Sequence, residues 1–292
     1  MGYSQQTIAE LFRDGKTNKN GSNFFSEHDA IYSYGHHFPL VFKRECGANQ
    51  KSHNEWYLIN GDKYSITTTQ HQSIIHSVFI EQPTTSFSAL SRAGINPQEC
   101  NLIDSESDLW YNESYNGKWP NDKPIPQGTS ISIKNAGTES EYRMFHRAGC
   151  CLLEQDGKYW ICGMDENSYF VSLLPDKAES IESAFLMLKP LQVQQAEKTK
   201  PVLRQGEWFC IPLEHKPTLK KNFNPYFILP EQDGKSSSHI ATRGINIDDS
   251  LFIFGTLRHS NGDHKMLRMD KNIIYQAFRN TAIMSFSESG VD

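Results

Sequence analysis

A chain of 292 residues is long enough to bury a sizeable core, as one large domain or two smaller ones. Its formal net charge of -5, from 29 Lys+Arg against 34 Asp+Glu, excludes a protein that coats nucleic acid along its whole surface, because that mode needs many phosphate-neutralising cations. No apolar run approaches the roughly 20 residues of a bilayer span, and the six cysteines, with no Cys-x-x-Cys pair, read as reduced core thiols rather than as a zinc site. The expected setting is cytoplasmic, with no membrane partner, no metal and no cofactor.

In chain order, Ser4 to Arg13 reads as an amphipathic helix, with Ile8, Leu11 and Phe12 on one face and Thr7 with Glu10 as a capping box. Residues 14 to 26, rich in Gly, Asn, Lys and Ser, read as a loop. Ala30 to Tyr34 is an expected strand leading through Gly35-His36-His37 into a first hairpin, whose arms His37 to Phe42 and Trp56 to Gly61 flank a long polar loop.

Asp62 to Ser73 follows, and its Thr content favours a strand. In that conformation Ser65, Thr67, Thr69 and His71 share one face, three hydroxyls and an imidazole. Such a face is either the wet side of an antiparallel sheet or a surface that meets a ligand. Ile74 to Ile80 reads as a continuation of the strand, and Ser86 to Ala93 as a short helix stopped by Gly94. Residues 96–128, with many Pro, Asn, Asp and Ser and with Trp110 and Trp119, read as an inserted loop.

The clearest hairpin is Phe145 to Asp165, where Asp156-Gly157 separates the runs Cys150 to Leu153 and Tyr159 to Ile161. His239 to Gly255 repeats the order of His, apolar alternation, acidic turn, aromatic strand and Gly, and His37 to Gly61 repeats it with a longer loop. Ser130 to Lys134 is an expected strand leading to the central hairpin, and Ser168 to Leu174 an expected third strand added to it. Ser180 to Lys189 is an expected helix, capped by Ser180, with Ile181, Ala184, Phe185 and Leu188 on one face and Pro190 as its stop. The polar stretch Gln192 to Lys200 marks a boundary, dividing a β-rich unit 1–197 from a β-rich unit 198–292. The second unit is mildly basic, with 13 Lys+Arg against 10 Asp+Glu. In it Glu207 to Pro212 is an aromatic strand, 214–238 a loop, and 272–286 either strand or helix. The fold class is therefore α+β, predominantly antiparallel β, built from degenerate repeated β-hairpins with a few short helices packed on them.

Candidate chemistry is sparse. Gly234-Lys235-Ser236 lacks the upstream glycine of a P-loop, since Leu229 stands there. His71-Gln72-Ser73 matches half of a two-histidine phosphoesterase signature, so His71 and His239 are the candidate catalytic pair, with Arg243 or His259 as further partners for phosphate. Arg258-His259 and His264-Lys265 flank the turn signal Asn261-Gly262 and give a cationic hairpin tip. The expected phosphate or nucleic-acid contacts are Thr67, Thr69, His71, Arg243, Arg258, His259 and Lys265. His37, His146 and His239 recur at the hairpins, either as strand-start hydrogen bonders or as a cluster.

Three segments, Tyr32-Ser-Tyr-Gly-His-His-Phe-Pro39, Asn60-Gly-Asp-Lys-Tyr-Ser-Ile-Thr-Thr-Thr-Gln-His-Gln72 and Gly255-Thr-Leu-Arg-His259, resemble uncharacterised hypothetical proteins of bacteriophages and plasmids. The resemblance is confined to those motifs; it implies a mobile-element setting and transfers no activity. The leading expectation is binding of a nucleic acid or nucleotide. The alternatives are a metal-independent, His-dependent phosphodiesterase or nuclease, and a module whose partner is another protein.

Overall fold

The computed structural model describes residues 2–45, 55–62, 64–79, 82–110, 130–135, 138–143, 145–165, 168–213, 223–230, 239–260 and 265–287. The first part of the chain forms α1 (Gln5–Arg13), β1 (Lys19–Asn20), β2 (Phe24–Glu27), β3 (Ala30–Ser33), β4 (Pro39–Glu45), β5 (Glu55–Asn60), α2 (Ile66–Val78), β6 (Thr84–Thr85) and α3 (Phe87–Arg92). The middle forms β7 (Asn101–Trp110), β8 (Ser130–Asn135), β9 (Thr138–Arg143), β10 (Phe145–Gln155), β11 (Lys158–Asp165), β12 (Ser168–Leu173), α4 (Ile181–Leu188) and α5 (Leu191–Ala196). The last part forms β13 (Leu203–Gln205), β14 (Trp208–Pro212), β15 (Asn224–Ile228), β16 (His239–Ile247), β17 (Ser250–His259), β18 (Leu267–Arg268), β19 (Tyr275–Arg279) and β20 (Met284–Ser287). The fold is α+β, with three main sheets that are antiparallel except where β6 runs parallel to β5. Among the described residues no helix is long and apolar enough to cross a membrane.

Strict alternation builds the first two layers. Along β5, Trp56 and Leu58 face one cluster while Tyr57 and Ile59 face another, and on β10 and β11 Cys151, Leu153, Trp160 and Cys162 face away from Leu152 and Ile161. The inward residues of the first sheet (β1 to β6) and the second (β20, β12, β11, β10, β7) share one core with α3. The outer face of the first sheet is covered by α1 and α2 through Ile8, Phe12, Ile75 and Val78, and that of the second by α4 through Ile181, Ala184 and Leu188. The result is a four-layer arrangement of helix, sheet, sheet and helix. Each Leu or Ile buried in it removes enough apolar surface from water to contribute about 1.5–3 kcal/mol.

The third sheet, β13-β14-β19-β17-β16-β15 with β18 beside β17, has its own core of Trp208, Cys210, Leu229, Ala241, Ile253, Leu257 and Tyr275. The division at 197/198 falls just after α5, which packs Val193 on Phe209 and Ile211 of this sheet. The chain then returns: β20 pairs with β12, joining residues 284–287 to the second sheet.

All three expected hairpins are antiparallel pairs, β4 with β5, β10 with β11 and β16 with β17, each inside a different sheet. The two short connections are two-residue turns in which both central residues are left-handed, Asp156 (φ 55) with Gly157 (φ 73) and Asp248 (φ 46) with Asp249 (φ 60). That backbone twist matches the right-handed twist of the flanking strands.

Several local expectations are corrected. The strand expected from Asp62 onward is a helix over Ile66–Val78: Ser65 caps α2 by accepting from the Thr68 N–H at 3.1 Å, and Thr68, His71, Gln72, Ile75 and Val78 lie buried at helical spacing. The burial period is helical, but three of its five positions are polar, so apolar periodicity is silent there. On α1 the cap is Ser4, which accepts from the Thr7 N–H, rather than Thr7 with Glu10. The loop expected at 14–26 contains β1 and the start of β2, that at 214–238 contains β15, and that at 96–128 contains β7, its residues 111–128 lying outside the described residues. Gln192 to Lys200 contributes most of α5, and 272–286 resolves as strands β19 and β20.

Candidate nucleic-acid interface

The third sheet presents two unlike faces, and the register of β16 and β17 sorts its residues between them. His239 opposite His259, Ala241 opposite Leu257 and Gly244 opposite Ile253 point inward to the core. Ile240 opposite Arg258, Arg243 opposite Phe254 and Ile245 opposite Phe252 point outward. On the flanking strands Arg268 pairs with Thr256 and Gln276 with Phe252, which extends the outer face in both directions.

A bulge organises the middle of this face. The register slips between Ala241 and Arg243, Gly255 adopts φ 95, and a Cβ added there would lie 2.9 Å from the Thr242 Cβ, so the position needs glycine. The slip brings Thr242 Oγ1 to 2.7 Å from Thr256 Oγ1, and the Thr256 N–H donates to Thr242 Oγ1 at 3.1 Å. Around this pair of hydroxyls stand Arg243, Arg258 and Arg268, all exposed and none in an ion pair among the described residues. Phe252 and Phe254 are half-buried beside them, Phe254 fixed edge-to-face by Phe223 at 5.1 Å. From the level of Arg243 to Arg258 is four residues along β17, about 13 Å at about 3.3 Å per residue. The strands β15 to β18 contain three arginines and no carboxylate. On a chain of net charge -5, that is a local reversal of sign.

The sequence-predicted residues fall in different places. Arg243 and Arg258 come together on the outer face. His259 turns inward, its ring edge-to-face with His239 at 4.8 Å, and His239 Nδ1 lies 3.4 Å from Glu207 Oε1. Lys265 is exposed just before β18, and its carbonyl accepts from Gln205 Nε2 at 2.6 Å, while Asn261 to His264 of the hairpin tip lie outside the described residues. The P-loop-like Gly234-Lys235-Ser236 also lies outside them.

The hydroxyl ladder with His71 is dissolved by the helix. Thr67 is half-buried, Thr69 donates its hydroxyl to the Ser65 carbonyl at 3.0 Å, and His71 is 1% exposed. An amide nitrogen only donates, so the Gln5 Nε2–H at 2.9 Å makes His71 Nε2 an acceptor, and Nδ1–H donates to Ser33 Oγ at 2.7 Å. Phe24 and Tyr34 close over the ring at 5.2 and 5.7 Å. Burial holds the imidazole below its ordinary pKa, as a neutral structural link between α1, β3 and α2. His71 and His239 thus sit in separate clusters with no common partner among the described residues. His37 is exposed in the turn before β4, His36 Nε2–H donates to Glu27 Oε2 at 2.6 Å, and the side chain of His146 lies outside the described residues. No group of three or more His, Cys, Asp or Glu among the described residues is arranged to hold a metal ion.

Sequence reasoning missed Arg268, the Thr242–Thr256 pair and the outward Phe252 and Phe254. The signal for three of these was present, because Phe252, Phe254, Thr256 and Arg258 alternate along one strand. No family model, curated protein or solved structure matches this chain, and the interface is therefore read from its own chemistry.

Proposed function

We propose that the outer face of the third sheet binds single-stranded nucleic acid. The observation that carries this reading is the set of three exposed arginines, without ion-pair partners among the described residues, around Thr256 and Phe254 on strands that hold no carboxylate. Guanidinium groups match phosphate oxygens in a bidentate fork, and half-exposed aromatic rings give unpaired bases a stacking platform. A local patch on an acidic protein favours a short, defined footprint over coating of long polymers.

The test is fluorescence anisotropy with labelled single-stranded DNA and RNA, competed by unlabelled duplex of the same sequence. Salt-sensitive binding, displaced by single strands better than by duplex, is the expected result; absence of any salt-sensitive binding removes the reading. A protein partner is the second reading, favoured by Tyr226 and Ile228, 74% and 55% exposed on the edge strand β15.

A further inference from the structure

By register, Thr256 is the centre of the outer face. Arg268 stands directly opposite it on β18, and Phe254 and Arg258 flank it at two-residue steps along the same side of β17. Each step is about 7 Å at about 3.3 Å per residue. On the β16 side the bulge set by Gly255 brings the exposed Thr242 to it, hydroxyl to hydroxyl at 2.7 Å.

The hydrogen bonds of this pair leave groups to spare. Each threonine hydroxyl carries a hydrogen and a pair of acceptor sites. The 2.7 Å contact uses one hydrogen and one lone pair, and the Thr256 N–H takes a second lone pair, on Thr242 at 3.1 Å. The Thr256 carbonyl, 3.5 Å from Thr242 Oγ1, is at the limit of reach. One hydrogen and two lone pairs therefore remain for a ligand, with no other side-chain partner among the described residues.

We infer that Thr256 makes this face select single-stranded RNA over DNA by meeting a ribose 2′-hydroxyl, a reading that rests on the outer face as a nucleic-acid interface. In a nucleotide the sugar joins the phosphate to the base. With the phosphate on the Arg258 or Arg268 guanidinium and the base stacked on Phe254, the sugar lies between them, over Thr256. A phosphate oxygen at that point would only accept, and the spare lone pairs would face an anion. A 2′-hydroxyl donates and accepts, so it uses the spare hydrogen and a spare lone pair together; deoxyribose offers neither function.

The test is fluorescence anisotropy on the full chain with an oligouridylate and its 2′-deoxy and 2′-fluoro counterparts, which share one base. The ribo strand should bind about fivefold more tightly than the deoxy strand, the ratio that one net hydrogen bond between neutral groups sustains. The 2′-fluoro strand keeps the ribose pucker without the hydroxyl and should bind like the deoxy strand. Thr256→Val, also β-branched and suited to a strand, should abolish the preference, and Thr256→Ser, which retains the hydroxyl, should keep it. Arg258→Ala should weaken both strands and leave the ratio in place. Equal binding of the ribo and deoxy strands, ribo-like binding of the fluoro strand, or a preference that survives Thr256→Val overturns the inference and leaves the outer face standing. Absence of salt-sensitive binding to every strand removes the outer face and the inference with it.

Discussion

Ser33 Oγ lies 2.7 Å from Nδ1 of His71, and both side chains are 1% exposed. The contact ties β3 to α2 inside the first sheet's helical layer. Replacing the ring by a methyl group leaves the Ser33 hydroxyl and the Gln5 amide without their partner, so His71→Ala should lower stability by about 1–3 kcal/mol for the unsatisfied groups alone. Urea denaturation followed by circular dichroism measures it, and an unchanged midpoint would show that the link is dispensable.

The same imidazole sets a pH dependence. Burial lowers its pKa from the ordinary 6.5, so on acidification the unfolded chain takes up a proton before the folded one does. The unfolded state then binds more protons, and the stability present above the ordinary value is lost as pH falls toward and through the lowered one. Urea midpoints should therefore drop between about pH 7.5 and about pH 5, and drop less in His71→Asn, which cannot titrate there.

Gly61 stands where β5 leaves the first sheet and meets the second. A Cβ added at this position would fall inside the ring of Tyr169, a residue of β12 that is 3% exposed. Gly61→Ala should cost about 1–3 kcal/mol through overpacking, while Gly157→Ala meets no neighbouring atom and acts only through its φ of 73. Thermal unfolding of the two variants distinguishes a packing cost from a backbone cost.

Cys100 and Cys210 have thiols pushed up to about 12 by burial, and Cys151 is raised well above its ordinary value by its contact with Cys162 and by burial. Since the thiolate is the reacting form, these cysteines should resist alkylation in the native protein and react only after denaturation. Mass-spectrometric mapping of alkylated peptides checks this, and rapid native labelling of Cys100 or Cys210 would contradict the packing around them.

What the sequence made legible was whatever rested on apolar alternation and on turn residues. Cys150 to Ile161 and His239 to Phe254 carry both signals, and both fold as hairpins about left-handed acidic turns. α4 was legible because its buried stripe is apolar and its cap is a serine. α2 was not, because it buries Thr68, His71 and Gln72, and polar side chains satisfied by partners distant in sequence, such as Gln72 donating to the Asn60 carbonyl, leave no local mark. The outer face of the third sheet was half legible. Arg243 and Arg258 stood out as cations, but that Arg268 joins them depends on β18 pairing with β17, and that His259 leaves them depends on strand parity.

The most direct measurement is the salt dependence of single-strand binding in wild type and in Arg243→Ala, Arg258→Ala and Arg268→Ala. For single strands each phosphate contact contributes about 0.7 to the slope of log K against log salt. Each substitution should weaken binding and flatten the slope by about 0.7, with thermal stability unchanged because all three side chains are exposed. Binding with an unaltered slope in all three variants, or no binding by the wild type, would contradict a nucleic-acid interface on this face.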